Sequence, residues 1–267
     1  MAHVVIGTKF WVLTNFFFFR MFDLSALSKF LRARLSAEGY FGLHLTIGAL
    51  ILIAASALFG IVAEDVVTAD AITLLDVRLA QWLHVHATPM MTNFMLIMTN
   101  LHGIAGIFLL SIAVGLYLLR RKAWYWLLSL TIAVAGGSLL NVAIKYAFHR
   151  ARPNFDDPLL TLTTYSFPSG HTAGSTVFYG VLACYLFSRI QTWPLRVLVA
   201  FCAAGMVILV GLSRMYLGVH YLSDVLGAIA EGCAWLALTI TAVSTLRRRR
   251  LFYAAPPTPT LMDRPHA

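Results

Sequence analysis

Long apolar runs alternate with short polar breaks along this chain. Apolar stretches fall at about residues 44–63, 103–119, 123–148, 172–188, 195–212 and 221–246. A helix that crosses a bilayer needs about 20 such residues. The pattern predicts an all-α, polytopic membrane protein with six transmembrane helices. The run at 90–98 extends the second helix upstream, with a tilt or break near "NLHG" at 100–103.

Two shorter segments carry apolar residues at helical spacing. One is "MFDLSALSKFLRARL" at 21–35, which holds Lys29, Arg32 and Arg34. That pattern fits an amphipathic helix on a membrane surface; the same region also reads as a leader ahead of a start at Met21. The other, 68–83, reads as an amphipathic helix on the opposite membrane face. The Pro-rich end, "AAPPTPTLMDRPHA", is expected to be disordered. The chain thus divides into an amphipathic or leader segment at 1–40, a six-helix membrane domain at 41–248 and a cytoplasmic tail at 249–267.

Composition agrees with the pattern. Hydrophobic residues make up 60% of the chain and charged residues only 12%, against about 25% charged in a soluble domain. A net charge of +9 would suggest nucleic acid if it were spread over one surface. Instead the cations sit in links: Arg32 and Arg34, then Arg120, Arg121 and Lys122, then Arg189 and Arg196, then Arg247 to Arg250. With six spans these all fall on one side, as the positive-inside rule requires. Both termini are expected in the cytoplasm, and no nucleic-acid partner is expected. Glu64, Asp65, Asp70, Asp76 and the long loop between the third and fourth spans face outward; a lone Arg78 there does not alter the orientation. Cys184, Cys202 and Cys233 lie in apolar segments and read as packing residues. No disulfide framework is visible.

Three polar clusters break the apolar pattern, all on the side opposite the arginine-rich links. The first is "KYAFHRARP", with Lys145, Arg152 and Pro153. The second is "PSGH", Pro168, Ser169, Gly170 and His171, where the fourth span begins. The third is "SRMYLGVHYLSD", with Ser213, Arg214, His220 and Asp224. Taken singly, each has a plain structural reading. Lys145 can snorkel to the interface, and His220 and Asp224, four residues apart, can pair on one helix face. Their convergence is harder to explain structurally, because ionisable groups within membrane spans are expensive to bury.

Lys145, Arg152 and Arg214 offer charge and N–H donors suited to phosphate oxygens. The start of the fourth helix, beside Ser169 and Gly170, adds backbone N–H groups for an anion. Asp224 can hold one tautomer of His220, leaving the other ring nitrogen free to attack phosphorus. His171 can protonate the departing oxygen. No metal or cofactor is called for.

The order K-x6-R-P, P-S-G-H, S-R-x5-H-x3-D resembles the three-part signature of the type 2 phosphatidic acid phosphatase superfamily, which also contains undecaprenyl diphosphate phosphatases and vanadium haloperoxidases. Every signature position is matched, between roughly the second and sixth spans. The resemblance implies a six-helix fold with an external-facing active site. It also implies hydrolysis of a lipid phosphate, without metal, through a phosphohistidine on His220. Asp224 would orient His220, His171 would act as acid, and Lys145, Arg152, Ser169, Gly170 and Arg214 would hold the phosphoryl group. Partners are then a lipid phosphate and membrane lipids, in a bacterial inner membrane. Undecaprenyl diphosphate is the first expected substrate, with phosphatidate or phosphatidylglycerophosphate next. Asp156 and Asp157, in the loop at 154–165, would disfavour very acidic headgroups. Two rival activities use the same cavity: transport of a lipid or anion without hydrolysis, and vanadate-dependent halide oxidation. Transport gives no reason for the His220–Asp224 spacing, and the multispan pattern argues against the haloperoxidase. The oligomeric state is left open.

Outside the signature, Asn141 lies one turn before Lys145, and Glu231 lies about 10 Å below Asp224 by helix rise. They are expected either to form a polar layer steadying Lys145 or to make a purely structural interhelical bond. Gly136 and Gly137 are expected at a close helix contact. His149 and Arg150 receive no chemical role, and His84, His86 and His102 are expected at the interface.

Overall fold

The structure is a computed structural model that describes Ser28 and residues 42–254. The amphipathic segment expected within the first 40 residues, and the chain beyond 254, lie outside the described residues. Every regular element among those described is helical. In chain order these are α1 (Leu43–Thr68), α2 (Ala71–Val85), α3 (Pro89–Leu101), α4 (Ile104–Arg120), α5 (Trp124–Phe148), α6 (Gly170–Arg189), α7 (Trp193–Tyr216) and α8 (Leu222–Ala254).

Four helices, α1, α5, α7 and α8, are long and apolar enough to cross a membrane. The bent pair of α3 and α4, with an angle of 55° between its halves, makes a fifth candidate. This break falls where "NLHG" predicted it. Apolar side chains such as Ile53, Ile61, Leu139 and Phe201 point outward, as lipid-facing residues do. The protein is an integral membrane protein. The last helix continues to Ala254, past the end expected near residue 246.

The fourth expected span, α6, is 20 residues long, or about 30 Å by helix rise, but its composition is too polar to qualify alone. The reason is its place. It packs against α4, α5, α7 and α8, with Thr172, Ser175 and Thr176 buried among them. Its lower half joins Val177, Phe178, Val181 and Tyr185 to a core with Ile107, Leu118, Leu130 and Ala133. Small residues allow the close approach that drives packing in lipid. A Cβ on Gly232 of α8 would lie only 2.7 Å from Cβ of Thr176.

In α5, a π-helical turn at Ile132–Gly136 faces α8. The Trp235 indole N–H reaches the Ile132 carbonyl at 3.2 Å, and a Cβ on Gly136 would run into the same ring. The close contact expected at Gly136 and Gly137 is therefore between α5 and Trp235.

The bundle has two chemically different ends. Arg120, Arg121, Lys122, Arg189 and Arg247 surround one cavity at one end. The C-terminal ends of α5 and α7 and the N-terminal ends of α6 and α8 meet at the other, where all three polar clusters lie.

Candidate active site

His220 sits in the link between α7 and α8, buried among Tyr216, Leu217 and Val219. Gly218 makes that link possible. It takes φ +70°, and a Cβ on it would stand 2.9 Å from the Phe155 ring. Asp224 lies in the first turn of α8, fully buried. Its Oδ2 is 3.2 Å from His220 Nδ1 and accepts the Tyr221 backbone N–H at 2.9 Å. On the other side of the ring, Arg152 Nη1 lies 3.2 Å from Nε2. A guanidinium can only donate, so Nε2 is the acceptor and Nδ1 carries the proton toward Asp224. Burial, reinforced by Arg152, Arg214 and Lys145, pushes the His220 imidazole well below its ordinary pKa.

Arg152 is held by the loop after α5. Its Nε donates to the Thr164 carbonyl at 2.6 Å, Nη1 to the Val219 carbonyl at 2.6 Å and Nη2 to the Tyr165 carbonyl at 3.1 Å. Lys145 Nζ donates to the Tyr165 and Ser166 carbonyls at 2.8 and 3.2 Å. Arg214, in the last turn of α7, is 1% exposed. One of its nitrogens, Nη1, donates to Thr99 Oγ1. Its Nε and Nη2 are buried without a protein acceptor, which is costly for a cation unless an anion meets them.

Ser169 precedes α6, and its backbone N–H is tied to the Asp224 carbonyl at 3.0 Å. The first N–H groups of a helix lack intrahelical acceptors, so the backbone at Gly170 and His171 adds to the same anion site. A Cβ on Gly170 would lie 3.2 Å from Asn141 Oδ1 and 3.9 Å from Lys145 Cε. His171 is close enough to Arg214 and Arg152 to feel their charge. Its Nε2 would lie 3.5 Å from a Cβ on Gly103, at the α3–α4 break. All eight signature side chains and backbone sites named above thus stand around one place.

Residues 124–248 match the family model of the PAP2 superfamily. The chain is also similar to a solved relative, the transmembrane PAP2 type phosphatidylglycerolphosphate phosphatase from Bacillus subtilis. The TM-score is 0.63 and the identity 30%, over 70% of this chain and 93% of that one. The chain belongs to the PAP2 superfamily. Phosphatidylglycerophosphatase B of B. subtilis (strain 168) is 38% identical over 113 residues, 42% of this chain and 55% of that protein. Lipid A 1-phosphatase of Rhizobium etli is 34% identical over 143 residues, 50% of this chain and 56% of that protein. The matches thus cover about half the length of these two sequence relatives.

Asn141 and Glu231 do meet: Asn141 Nδ2 donates to Glu231 Oε2 at 2.9 Å. Lys145 Nζ, however, hydrogen-bonds the loop carbonyls and not Glu231. His102 departs from the expected interfacial placement. It is 1% exposed, with Nε2 2.8 Å from the Tyr179 hydroxyl and Nδ1 2.9 Å from the Met98 carbonyl. The bend between α3 and α4 turns it into the bundle. His84, in the last turn of α2, packs against the loop at 154–165, 2.8 Å from Asp157 and stacked on Phe155.

Four residues without an expected role stand behind the site residues: Arg150, Asp76, Ser223 and Thr99. Arg150 Nη1 donates to Asp224 Oδ1 at 2.6 Å, and Nη2 donates to Asp76 Oδ2 at 2.8 Å. Arg150 stands two residues before Arg152 in "RAR", and the sequence offers no periodicity that separates their roles. Asp76 carries no signal at all beyond being polar on an amphipathic helix.

Proposed function

We propose that this protein hydrolyses a lipid phosphate or diphosphate at the membrane face opposite the arginine-rich links. The observation that carries the reading is the tautomer of His220. Asp224 Oδ2 accepts a hydrogen bond from the Nδ1–H, so the Nε2 lone pair faces Arg152. Nε2 attacks phosphorus and the P–O bond to the lipid breaks. His171 gives its proton to the departing oxygen, leaving a phosphohistidine on His220. Water, deprotonated by His171, then attacks the phosphorus, and the P–N bond breaks to regenerate both histidines and release phosphate. Arg152, Arg214, Lys145 and the backbone N–H groups of Gly170 and His171 hold the equatorial oxygens as charge spreads over them, with Ser169 tied back to Asp224.

The reading includes six spans, with α6 counted as the fourth, and both termini in the cytoplasm. It also places the site outside a bacterial inner membrane. The arginine-rich end of the bundle supports this orientation. Metal independence belongs to the same proposal. Relatives named for different lipids leave the headgroup to experiment; undecaprenyl diphosphate and phosphatidylglycerophosphate head the panel, followed by phosphatidate.

The test is phosphate release by the purified protein in detergent with EDTA, against this panel, beside His220→Ala. Release that survives EDTA and vanishes in the variant supports the reading. Release that persists in the variant overturns the mechanism, and none from any lipid overturns the activity.

A further inference from the structure

Asp76 lies on α2, outside all three signature clusters, yet it is 1% exposed. Both its oxygens are used. Oδ1 accepts the Ser223 backbone N–H at 2.9 Å, and Oδ2 accepts from the Ser223 hydroxyl and from Arg150 Nη2. Arg150 in turn donates Nη1 to Asp224 Oδ1 at 2.6 Å and to Ser223 Oγ at 2.7 Å. Its guanidinium lies over the Tyr221 ring, 4.6 Å from the centroid. The result is a chain of contacts running from the charged Asp76, Arg150 and Asp224 to the His220 imidazole. It links α2, the residues just after α5 and the first turn of α8.

The two oxygens of Asp224 have divided work. Oδ1 is taken by Arg150, and Oδ2 faces the His220 Nδ1 proton. Arg150 thereby fixes the carboxylate's rotation, which decides whether an oxygen lies in line with Nδ1. It also withdraws charge from the carboxylate that polarises the nucleophile. Asp76 shares the guanidinium and so limits that withdrawal. Without Asp76, the full charge of Arg150 would fall on Asp224, weakening the pull of Asp224 on the imidazole.

We propose that Asp76 and Arg150 are positioning residues for His220, acting through Asp224 and touching no substrate. This rests on the phosphatase reading for its kinetic consequence, though its structural consequence can be read without turnover. A bond that merely fastens α2 to the bundle would affect stability and leave the imidazole unchanged.

Two variants test it in the full chain: Asp76→Asn, which keeps shape while removing charge, and Arg150→Lys, which keeps charge but cannot span both carboxylates. The expected result is a kcat about tenfold lower for Asp76→Asn and lower still for Arg150→Lys, with KM unchanged. The double variant should fall short of the product of the two effects. Independently, ¹⁵N-histidine NMR should show the His220 Nδ1–H resonance moved in Asp76→Asn, with the melting temperature held within about 3 °C. An unmoved resonance overturns the proposal, whatever the activity. So does a moved resonance with unchanged kcat in an active enzyme. If the wild type releases no phosphate, the phosphatase reading fails while the NMR result still decides this one. Should Asp76→Asn not fold, Arg150→Lys carries the same two readouts.

Discussion

Arg152 and Asp224 hold opposite nitrogens of one imidazole: Arg152 Nη1 is 3.2 Å from Nε2 of His220, and Asp224 Oδ2 is 3.2 Å from Nδ1. The ring is thereby fixed in both tautomer and direction. In the proposed mechanism, Nε2 attacks phosphorus beside a cation that can follow the phosphoryl group.

Arg152→Lys keeps the charge but loses the planar fork that reaches Val219, Thr164, Tyr165 and His220 together. Its kcat/KM should fall by about 100-fold, as for removal of a preorganised donor. Phosphate-release kinetics check this. A loss under threefold would mean that charge alone suffices.

The pH profile follows from the depressed pKa of His220. A lowered pKa favours the neutral ring, so the nucleophile stays unprotonated as pH falls through the ordinary imidazole value of 6.5. The limb of kcat/KM that reports loss of this nucleophile should lie below 6.5, after correction for the substrate's own ionisation. A nucleophile limb centred at or above that value contradicts the buried, neutral imidazole.

Glu231→Gln preserves an acceptor for Asn141 Nδ2, whereas Glu231→Ala leaves that buried amide without one. The first should stay within about threefold of wild-type activity. The second should lose about 1–3 kcal/mol of stability, read by thermal unfolding in detergent. A large loss of kcat in Glu231→Gln at unchanged stability would restore a role for its charge near Lys145.

Gly218→Ala meets two obstacles, φ +70° and the Phe155 ring 2.9 Å from the new Cβ. The backbone alone accounts for about 1–2 kcal/mol, and the link two residues before His220 must shift. Both melting temperature and kcat should drop. An unchanged kcat would show that the link tolerates movement without displacing the imidazole.

The helices were legible because lipid enforces long apolar runs, and the break at 100–103 appeared as polar residues between two such runs. The three signature clusters were legible because polar residues at the ends of apolar runs are conspicuous and all fell on one side. Arg150 and Asp76 were not. Their importance comes from which carboxylate each guanidinium nitrogen reaches, a tertiary fact with no local period. His102 misled for a related reason. A histidine between apolar runs looks interfacial until the α3–α4 bend places Tyr179 beside it.

The polarity of α6 also bears on how the protein is made. A 20-residue segment carrying His171, Thr172, Ser175 and Thr176 gains little by entering lipid alone, since insertion is favoured by Leu, Ile, Phe and Val. Its buried face is complete only when α4 and α5, synthesised before it, and α7 and α8, synthesised after it, have gathered around it. Biogenesis should therefore leave α6 waiting beside the earlier helices. Truncating the nascent chain before α7 should yield a product whose fourth segment fails to integrate.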